Sequence, residues 1–506
     1  MSWQLDEVAH AGPEHPDAGD VAAFDLKVQT VWSAEIGTLP ALGIGRQPPV
    51  RPPPVSCPSH ANLSANLAAQ ECRLSLIVHA LPFAYGDAVS TVTDTAQHAR
   101  QGSNMFEKFF TDPSFDFETR TLLGGIHYGA GDIGEMLTAV ANITDGDATS
   151  WVTQWRMLAG RIETTGDACL KAGHRVSARQ AYLRAAVYYA AAYVFVDGTE
   201  HPEAQLTELF AAHRRCFDVH LGLLDPPAIA IAIPYEDGDL PGYLFIPADD
   251  GVARPTVILN NGSDGPMTFL WPGLGQAGLD RGYNTVIFDG PGQQSMLFDR
   301  EVPFRPDWEQ VITPLVDFLS DRPEVDASKI VLYGASQAGY WVPRAAAFEH
   351  RLAAVIADPG VIDVSTSWKD HIPPELVALL DADDETGFNA AMDAASQEMS
   401  PAMQQEFAWR AKPYGDQPSI YATFKTAEQY RLGDLVTQIN TPIMITDPEG
   451  EQFWPGQSQQ LYDTVDGPKL LATFTNAEGA GLHCQPMGRS LLEQRMYDWL
   501  DETLAR

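Results

Sequence analysis

Cysteine is scarce and scattered. Five occur in 506 residues, at Cys57, Cys72, Cys169, Cys216 and Cys484, and none forms a C-x-x-C pair. That excludes a disulfide framework or a zinc knuckle and points to a reducing compartment. Positive charge is also short. Lys plus Arg number 32 against 67 Asp plus Glu, for a net charge of −35. So acidic a surface repels phosphate backbones and anionic lipids, which excludes nucleic acid and membrane surfaces as partners. No apolar run reaches the roughly 18 residues of a spanning helix. The opening MSWQLDEVAHAGPEHPD is acidic and lacks the apolar stretch of a secretory leader. A cytoplasmic protein is the expectation. Metal and cofactor signatures are missing too. There is no H-E-x-x-H, and Gly273-x-Gly275 with Gly278 imitates a dinucleotide fingerprint without the strand that should lead into it. No cofactor and no metal are expected.

What is present is an ordinary globular composition, 45% hydrophobic and 20% charged. Its texture changes along the chain. Residues 1–60 carry RQPPVRPPPVSCP and read as an irregular, proline-rich arm, because proline fixes φ and cannot donate to a ladder. Residues 61–225 read as a helical domain. The segment SARQAYLRAAVYYAAAYVFV is its strongest helix, with Ser177 the expected N-cap, and Trp151 and Trp155 lie four apart on one helix face. Residues 226–506 alternate short apolar runs with helical stretches. The runs are PTVILNNG, NTVIFDGPG, KIVLYGAS, LAAVIADPG, TPIMITD and KLLATFTN, preceded by two strands around a Gly-Asp turn. Apolar strands without polar alternation, separated by helices, predict a mostly parallel, doubly wound sheet covered on both faces. The stretch from about 365 to 440 breaks this rhythm and reads as a helical insertion.

The sharpest local signal is Gly334-Ala335-Ser336-Gln337-Ala338-Gly339, between a strand and a helix. That is the setting of a nucleophile elbow. A serine hydroxyl is weak and needs a base. Of the three histidines that follow, His350 ends a helix, His371 lies in the insertion, and His483 follows the last strand. Sites form at the carboxyl ends of strands, so His483 is the base. The acid belongs to the loop after TPIMITD. Counted back from Pro455 it is Glu451, with Asp447 and Glu449 as alternatives. The oxyanion hole should use the N–H of Gln337 and one from the turn at Asn260–Gly265, with Ser263 first and Gly262 next. Tyr340, Trp341, Trp151, Tyr188 and Tyr189, together with Tyr128 and Phe195, are aromatic candidates for a substrate pocket.

These residues resemble a known group, the α/β-hydrolases related to FrsA-like esterases. The group includes fungal yellowish-green-type polyketide-shortening hydrolases and 2,6-dihydroxypseudooxynicotine hydrolase. The resemblance rests on FDGPGQ at 288–293, GASQAGYWVPRAAA at 334–347 and EGAGLHCQ at 478–485. Upstream it rests on Gly146-Asp147, Ser150-Trp151, Trp155, Gly173-His174, Ser177-Ala178, Tyr182 and Tyr188-Tyr189. It covers residues 105–506 and departs at Ala338, where the group usually has glycine. It implies an α/β-hydrolase fold, a helical cap packed over the serine, and often a homodimer. It also implies hydrolysis of an ester, or of a carbon–carbon bond beside an aryl or β-keto carbonyl, in a bulky, partly aromatic small molecule. An acyltransferase using the same triad, or a catalytically silent ligand-binding protein on the same fold, are the alternatives.

Overall fold

A computed structural model describes residues 108–505. The proline-rich arm expected over 1–60, and the start of the helical stretch, lie outside them.

Five helices come first: α1 (Pro113–Gly124), α2 (Ile133–Val140), α3 (Ala148–Lys171), α4 (Arg175–Tyr193) and α5 (Pro202–Gly222). Aspartates start the first three. The side chains of Asp112, Asp132 and Asp147 accept from N–H groups of the first turn, which have no intrahelical partner. Ser177 does not cap α4. Gly173, at φ 80°, ends α3, and the chain re-enters helix at Arg175, so Ser177 falls inside the first turns. Trp151 and Trp155 do share a face. Both are fully buried, with ring centroids 5.7 Å apart.

Eight strands follow: β1 (Ile229–Tyr235), β2 (Gly238–Phe245), β3 (Arg254–Asn260), β4 (Asn284–Phe288), β5 (Val325–Ala335), β6 (Ala354–Asp358), β7 (Ile443–Pro448) and β8 (Lys469–Phe474). Their order is β1-β2-β4-β3-β5-β6-β7-β8. The first two form an antiparallel hairpin, β2 runs antiparallel to β4, and β3 to β8 are mutually parallel. This is the α/β-hydrolase architecture. The period of two sends alternate residues to opposite faces. Val331 and Tyr333 join one apolar cluster with the N-terminal helices and helix Arg489–Leu504. Ile330 and Leu332 join another with helices Glu309–Ser320 and Ala338–Ala346. Both faces are covered, which explains the uninterrupted apolar runs. Between β6 and β7 the chain forms a set of helices, including Pro374–Asp381, Glu385–Ser396, Pro401–Ala411 and Ile420–Ala427. Among the described residues no helix is long and apolar enough to cross a membrane.

Candidate active site

The parallel strands deliver their loops to one end of the sheet. Strand β5 ends at Ala335, and Ser336 follows with φ 56°. A non-glycine residue there is held in a sparsely populated conformation by its surroundings. Its N–H donates to the carbonyl of Asp358 at 2.6 Å and faces Sγ of Cys484 at 3.2 Å. Helix Ala338–Ala346 then turns back sharply. A Cβ on Gly334 would lie 2.5 Å from Cγ2 of Val342, and one on Gly339 would lie 1.8 Å from the carbonyl oxygen of Pro359. Ala338, between them, is fully buried. The glycine positions this turn requires are therefore 334 and 339, and a methyl at 338 packs into the core.

His483 sits beyond β8. Its Nε2 lies 2.9 Å from Oγ of Ser336, and its Nδ1 lies 2.7 Å from Oε2 of Glu451. With the proton on Nδ1, the ring donates to the carboxylate and accepts from the hydroxyl. Two contacts between loops hold this register. The N–H of Gly450 donates to the Gly481 carbonyl at 2.7 Å, and Gly450 bridges Leu482 in parallel fashion. Phe453 and Trp454 flank the imidazole, with ring centroids at 4.6 and 5.8 Å. Burial works to raise the Glu451 carboxyl. His483 and the N–H groups of Phe453 (2.9 Å) and Trp454 (3.2 Å) outweigh it and hold that carboxyl below the usual range. The other two acids of the loop do not reach the imidazole by hydrogen bonds. Glu449 accepts from the N–H of Asn476 at 2.7 Å. Asp447 is half-buried, and burial and the neighbouring Glu451 push its carboxyl up.

Near the serine, Gly262 is packed so closely that a Cβ would stand 2.7 Å from Cβ of Ser336. Its N–H donates to the Asn261 side chain at 3.0 Å. Among the described residues the N–H groups of Gln337 and Ser263 have no acceptor. Of the two candidates for the one N–H expected from this turn, that of Ser263 is the one left open. The turn is fastened by Gln293, whose Nε2 donates to the carbonyls of Asn261 (2.6 Å) and Gly262 (2.9 Å) and whose Oε1 accepts from Gly290.

A cavity of about 700 Å³ opens over Ser336, His483, Gln337 and Ser263. Its walls come from α1 (Phe117, Glu118), the end of α4 (Val194, Phe195), the insertion (Trp368, Trp409, Tyr414) and the acid loop (Phe453, Trp454). Of the aromatic candidates named from the sequence, Phe195 lines it. Trp151, Tyr188, Tyr189, Tyr340 and Trp341 do not, and this corrects the expectation. Each belongs to a helix face turned into the core. The Trp151 indole donates to the Ala191 carbonyl at 2.7 Å, and the Tyr188 and Tyr189 hydroxyls donate to Glu135 and Glu163. The Tyr340 hydroxyl donates to the Pro306 carbonyl, and Trp341 stacks on Trp308 with centroids 4.1 Å apart. Tyr128 lines a separate cavity of about 70 Å³.

Sequence reasoning missed several residues of the site. Gln293 lies inside the FDGPGQ stretch, yet nothing in the sequence marks it as the brace of the serine's neighbouring turn. Cys484 is buried under Ser336, its Sγ 3.2 Å from the Asp358 carbonyl and 3.4 Å from Nε2 of His483. Burial, with Asp358 and Glu451 nearby, pushes its thiol well above the ordinary range, so it stays protonated. The sequence marks the insertion's Trp368, Trp409 and Tyr414 only as part of a helical stretch.

No protein-family model matches the sequence. The chain is 30% identical over 422 residues to "Hydrolase ORFZ" of Pyricularia oryzae, covering 78% of this chain and 97% of that protein. It is 28% identical over 421 residues to the "20-hydroxy-prefusarin hydrolase FUS2" of Gibberella moniliformis, covering 79% and 98%. Among solved structures, that of a 2,6-dihydroxy-pseudo-oxynicotine hydrolase superposes with a TM-score of 0.58 at 21% identity, over 76% of this chain and 95% of that one.

Proposed function

The chain belongs to the α/β-hydrolases, enzymes of the hydrolase type, and from that premise we propose that Ser336, His483 and Glu451 form its catalytic triad. The observation that carries this reading is the unbroken hydrogen-bonded chain from Oγ of Ser336 through His483 to Glu451 beside a large cavity. Ser336 attacks a carbonyl carbon while its proton passes to Nε2 of His483. The tetrahedral oxyanion accepts from the N–H groups of Gln337 and Ser263. Collapse breaks the bond to the leaving group, which takes the proton from Nε2, and water then hydrolyses the acyl-serine by the same steps in reverse. Glu451 holds the tautomer and stabilises the imidazolium.

The substrate is a bulky, partly aromatic small molecule, cleaved at an ester or at a carbon–carbon bond beside a carbonyl. The cavity's volume and aromatic walls support that class. So does the name of the FUS2 relative, which gives that protein a hydroxylated substrate, 20-hydroxy-prefusarin. The helices before the sheet act as a cap over the serine, since α1 and α4 supply cavity walls. A homodimer completes the proposal and is read out by light scattering. The deciding experiment is labelling with a fluorophosphonate followed by peptide mass analysis. The adduct is expected on Ser336 and absent from Ser336→Ala; an adduct elsewhere, or none, overturns the triad. Product analysis with and without an added alcohol separates hydrolysis from acyl transfer.

A further inference from the structure

We propose that Gln293 and Gln294 are positioning residues for the oxyanion hole and that Tyr193 of α4 completes a relay to them, so that the helices before the sheet take part in catalysis and not only in walling the cavity. This rests on the hydrolase reading above and adds to it how one of the two oxyanion donors is aimed. The N–H of Ser263 belongs to the same peptide unit as the carbonyl of Gly262. That unit is planar and trans, so its N–H and C=O point in opposite directions. The Gly262 carbonyl accepts from Nε2 of Gln293 at 2.9 Å. Fixing this carbonyl fixes the direction of an N–H that has no acceptor among the described residues. On the other side of Ser263, Nε2 of Gln294 donates to the Asp264 carbonyl at 2.8 Å. Consecutive side chains thus clamp the turn both before and after Ser263. Gln294 sits at φ 33°, a conformation in which a non-glycine residue stays only when its surroundings hold it.

The clamp is held in turn by α4 and α5. The Tyr193 hydroxyl, buried at the end of α4, donates to Oε1 of Gln294 at 2.8 Å. With its oxygen turned to Tyr193, the amide presents its NH2 group to the Asp264 carbonyl. The two residues after Tyr193 are Val194 and Phe195, which line the cavity over Ser336. From α5, Nη1 of Arg214 reaches Oδ2 of Asp289 at 3.2 Å. The same oxygen of this buried carboxylate accepts from the N–H of Ser295 at 3.2 Å and from its hydroxyl at 2.5 Å. Asp289 and Ser295 bracket the two glutamines, so α5 pins the segment that carries them and α4 orients the second of them. Tyr193, Gln293 and Gln294 do not line the cavity that holds Ser336. They act on the reaction through the turn and not by touching substrate.

The test compares a phenylalkyl trifluoromethyl ketone with the secondary alcohol of the same skeleton. Oγ of Ser336 adds to the ketone carbon, the carbonyl electron pair moves onto oxygen, and the hydroxyl proton passes to Nε2 of His483, so the adduct is an oxyanion held by the hole. The alcohol fills the same cavity and makes no oxyanion. The wild-type enzyme is expected to bind the ketone at least about a hundredfold tighter than the alcohol. Gln294→Met keeps the length of the side chain and should cut that ratio by about tenfold or more. Tyr193→Phe removes one oxygen and should cut it by about fivefold. Alcohol binding is expected to stay as in wild type. In the double variant the loss should equal that of Gln294→Met alone, because Tyr193 acts through Gln294. The kcat for p-nitrophenyl butyrate, counted per site that a fluorophosphonate labels, should fall in step with the ratio. A ratio that either single variant leaves at the wild-type value overturns the proposal, and so do losses that multiply in the double variant. Equal weakening of ketone and alcohol would show a merely structural role and overturn it as well. If Gln294→Met yields no labelled sites, Tyr193→Phe decides alone. A wild-type enzyme that labels yet binds both probes equally sinks only the relay, whereas absent labelling sinks the underlying hydrolase reading.

Discussion

At the scale of single residues, the acid decides how well the imidazole is held. Glu451 is buried with His483 and is kept ionised by that ring and two N–H groups. Glu451→Gln keeps the shape but presents an amide to Nδ1 and favours the wrong tautomer. We expect kcat to fall by about 10⁴, the cost of the same change in a comparable triad. Asp447 behaves differently. No hydrogen bond to its carboxylate is found among the described residues, and Glu451 repels it. Asp447→Asn should leave kcat within a few fold and the melting temperature unchanged or slightly raised. Steady-state kinetics and thermal melts on the two variants check both statements, and an inactive Asp447→Asn beside an active Glu451→Gln would reverse the assignment. Ser336→Ala should lose nearly all turnover and keep its fold, because only a hydroxyl facing the cavity is removed. Gly262→Ala tests the turn beside the serine. Its methyl would stand 2.7 Å from Cβ of Ser336 and 3.3 Å from Oγ. The nucleophile or the turn must move, and kcat should drop by about 10²–10³, the range seen when an oxyanion donor is lost.

At the scale of elements, the strand–turn–helix unit around Ser336 explains both what the sequence reveals and what it conceals. Position 338, where the resembling group usually has glycine, carries a methyl that the core accepts. The carbonyl of Pro359 instead presses on position 339. Gly339→Ala should therefore be badly destabilised, by at least the roughly 1–3 kcal/mol of an overpacked core. Ala338→Gly should cost only about 0.5–1 kcal/mol through lost packing and backbone entropy. Denaturant melts compare them, and equal costs would mean that the helix can shift away from β6. The same contrast explains what was legible. Strands β3 to β8 are readable because each is a short apolar run with both faces covered. Ser336 and His483 are readable because a nucleophile elbow and a histidine after the last strand are local patterns. Glu451 follows from a count along one loop. The cavity walls were not readable. They join α1, the end of α4 and the insertion, which lie far apart in sequence, and an aromatic residue's spacing on its own helix does not say which neighbour the helix meets. Tyr340 and Trp341 illustrate this. They adjoin the elbow in sequence and yet point into the core beneath it.

At the scale of the whole molecule, buried ionisable groups set how stability responds to pH, and their signs can be worked out. His213 is pushed down to about 3 and His220 to about 4, burial being the main cause. Both are neutral in the fold, and His220 accepts from the Trp271 indole at 3.1 Å. The unfolded chain protonates such groups below about 6.5. It then binds more protons than the native state, so these two histidines make stability rise as pH climbs from about 4 to 6.5. Glu118 and Glu493 act in the opposite sense. Burial raises them to about 8 and about 7. Between the ordinary carboxyl value and those values the native state keeps protons that the unfolded chain has released, and stability falls as pH rises. Below about 6.5 the two pairs offset one another. Above it the histidines no longer contribute and only the carboxyls remain. The carboxyls held low, Glu451 among them, lose their contribution only in acid and do not enter this window. We therefore expect stability to change little up to about pH 6 and to fall by an amount on the order of 1–2 kcal/mol between there and pH 8. The charge of −35 adds to the alkaline loss through self-repulsion. Salt separates the two contributions. Added chloride screens the surface repulsion but not the buried carboxyls, whereas Glu118→Gln with Glu493→Gln removes the part contributed by these two. Melting temperatures of wild type and double variant, taken from pH 5.5 to 8.5 at low and high salt, test this. A double variant that loses stability above pH 6.5 as steeply as the wild type at high salt would show that Glu118 and Glu493 are not its source.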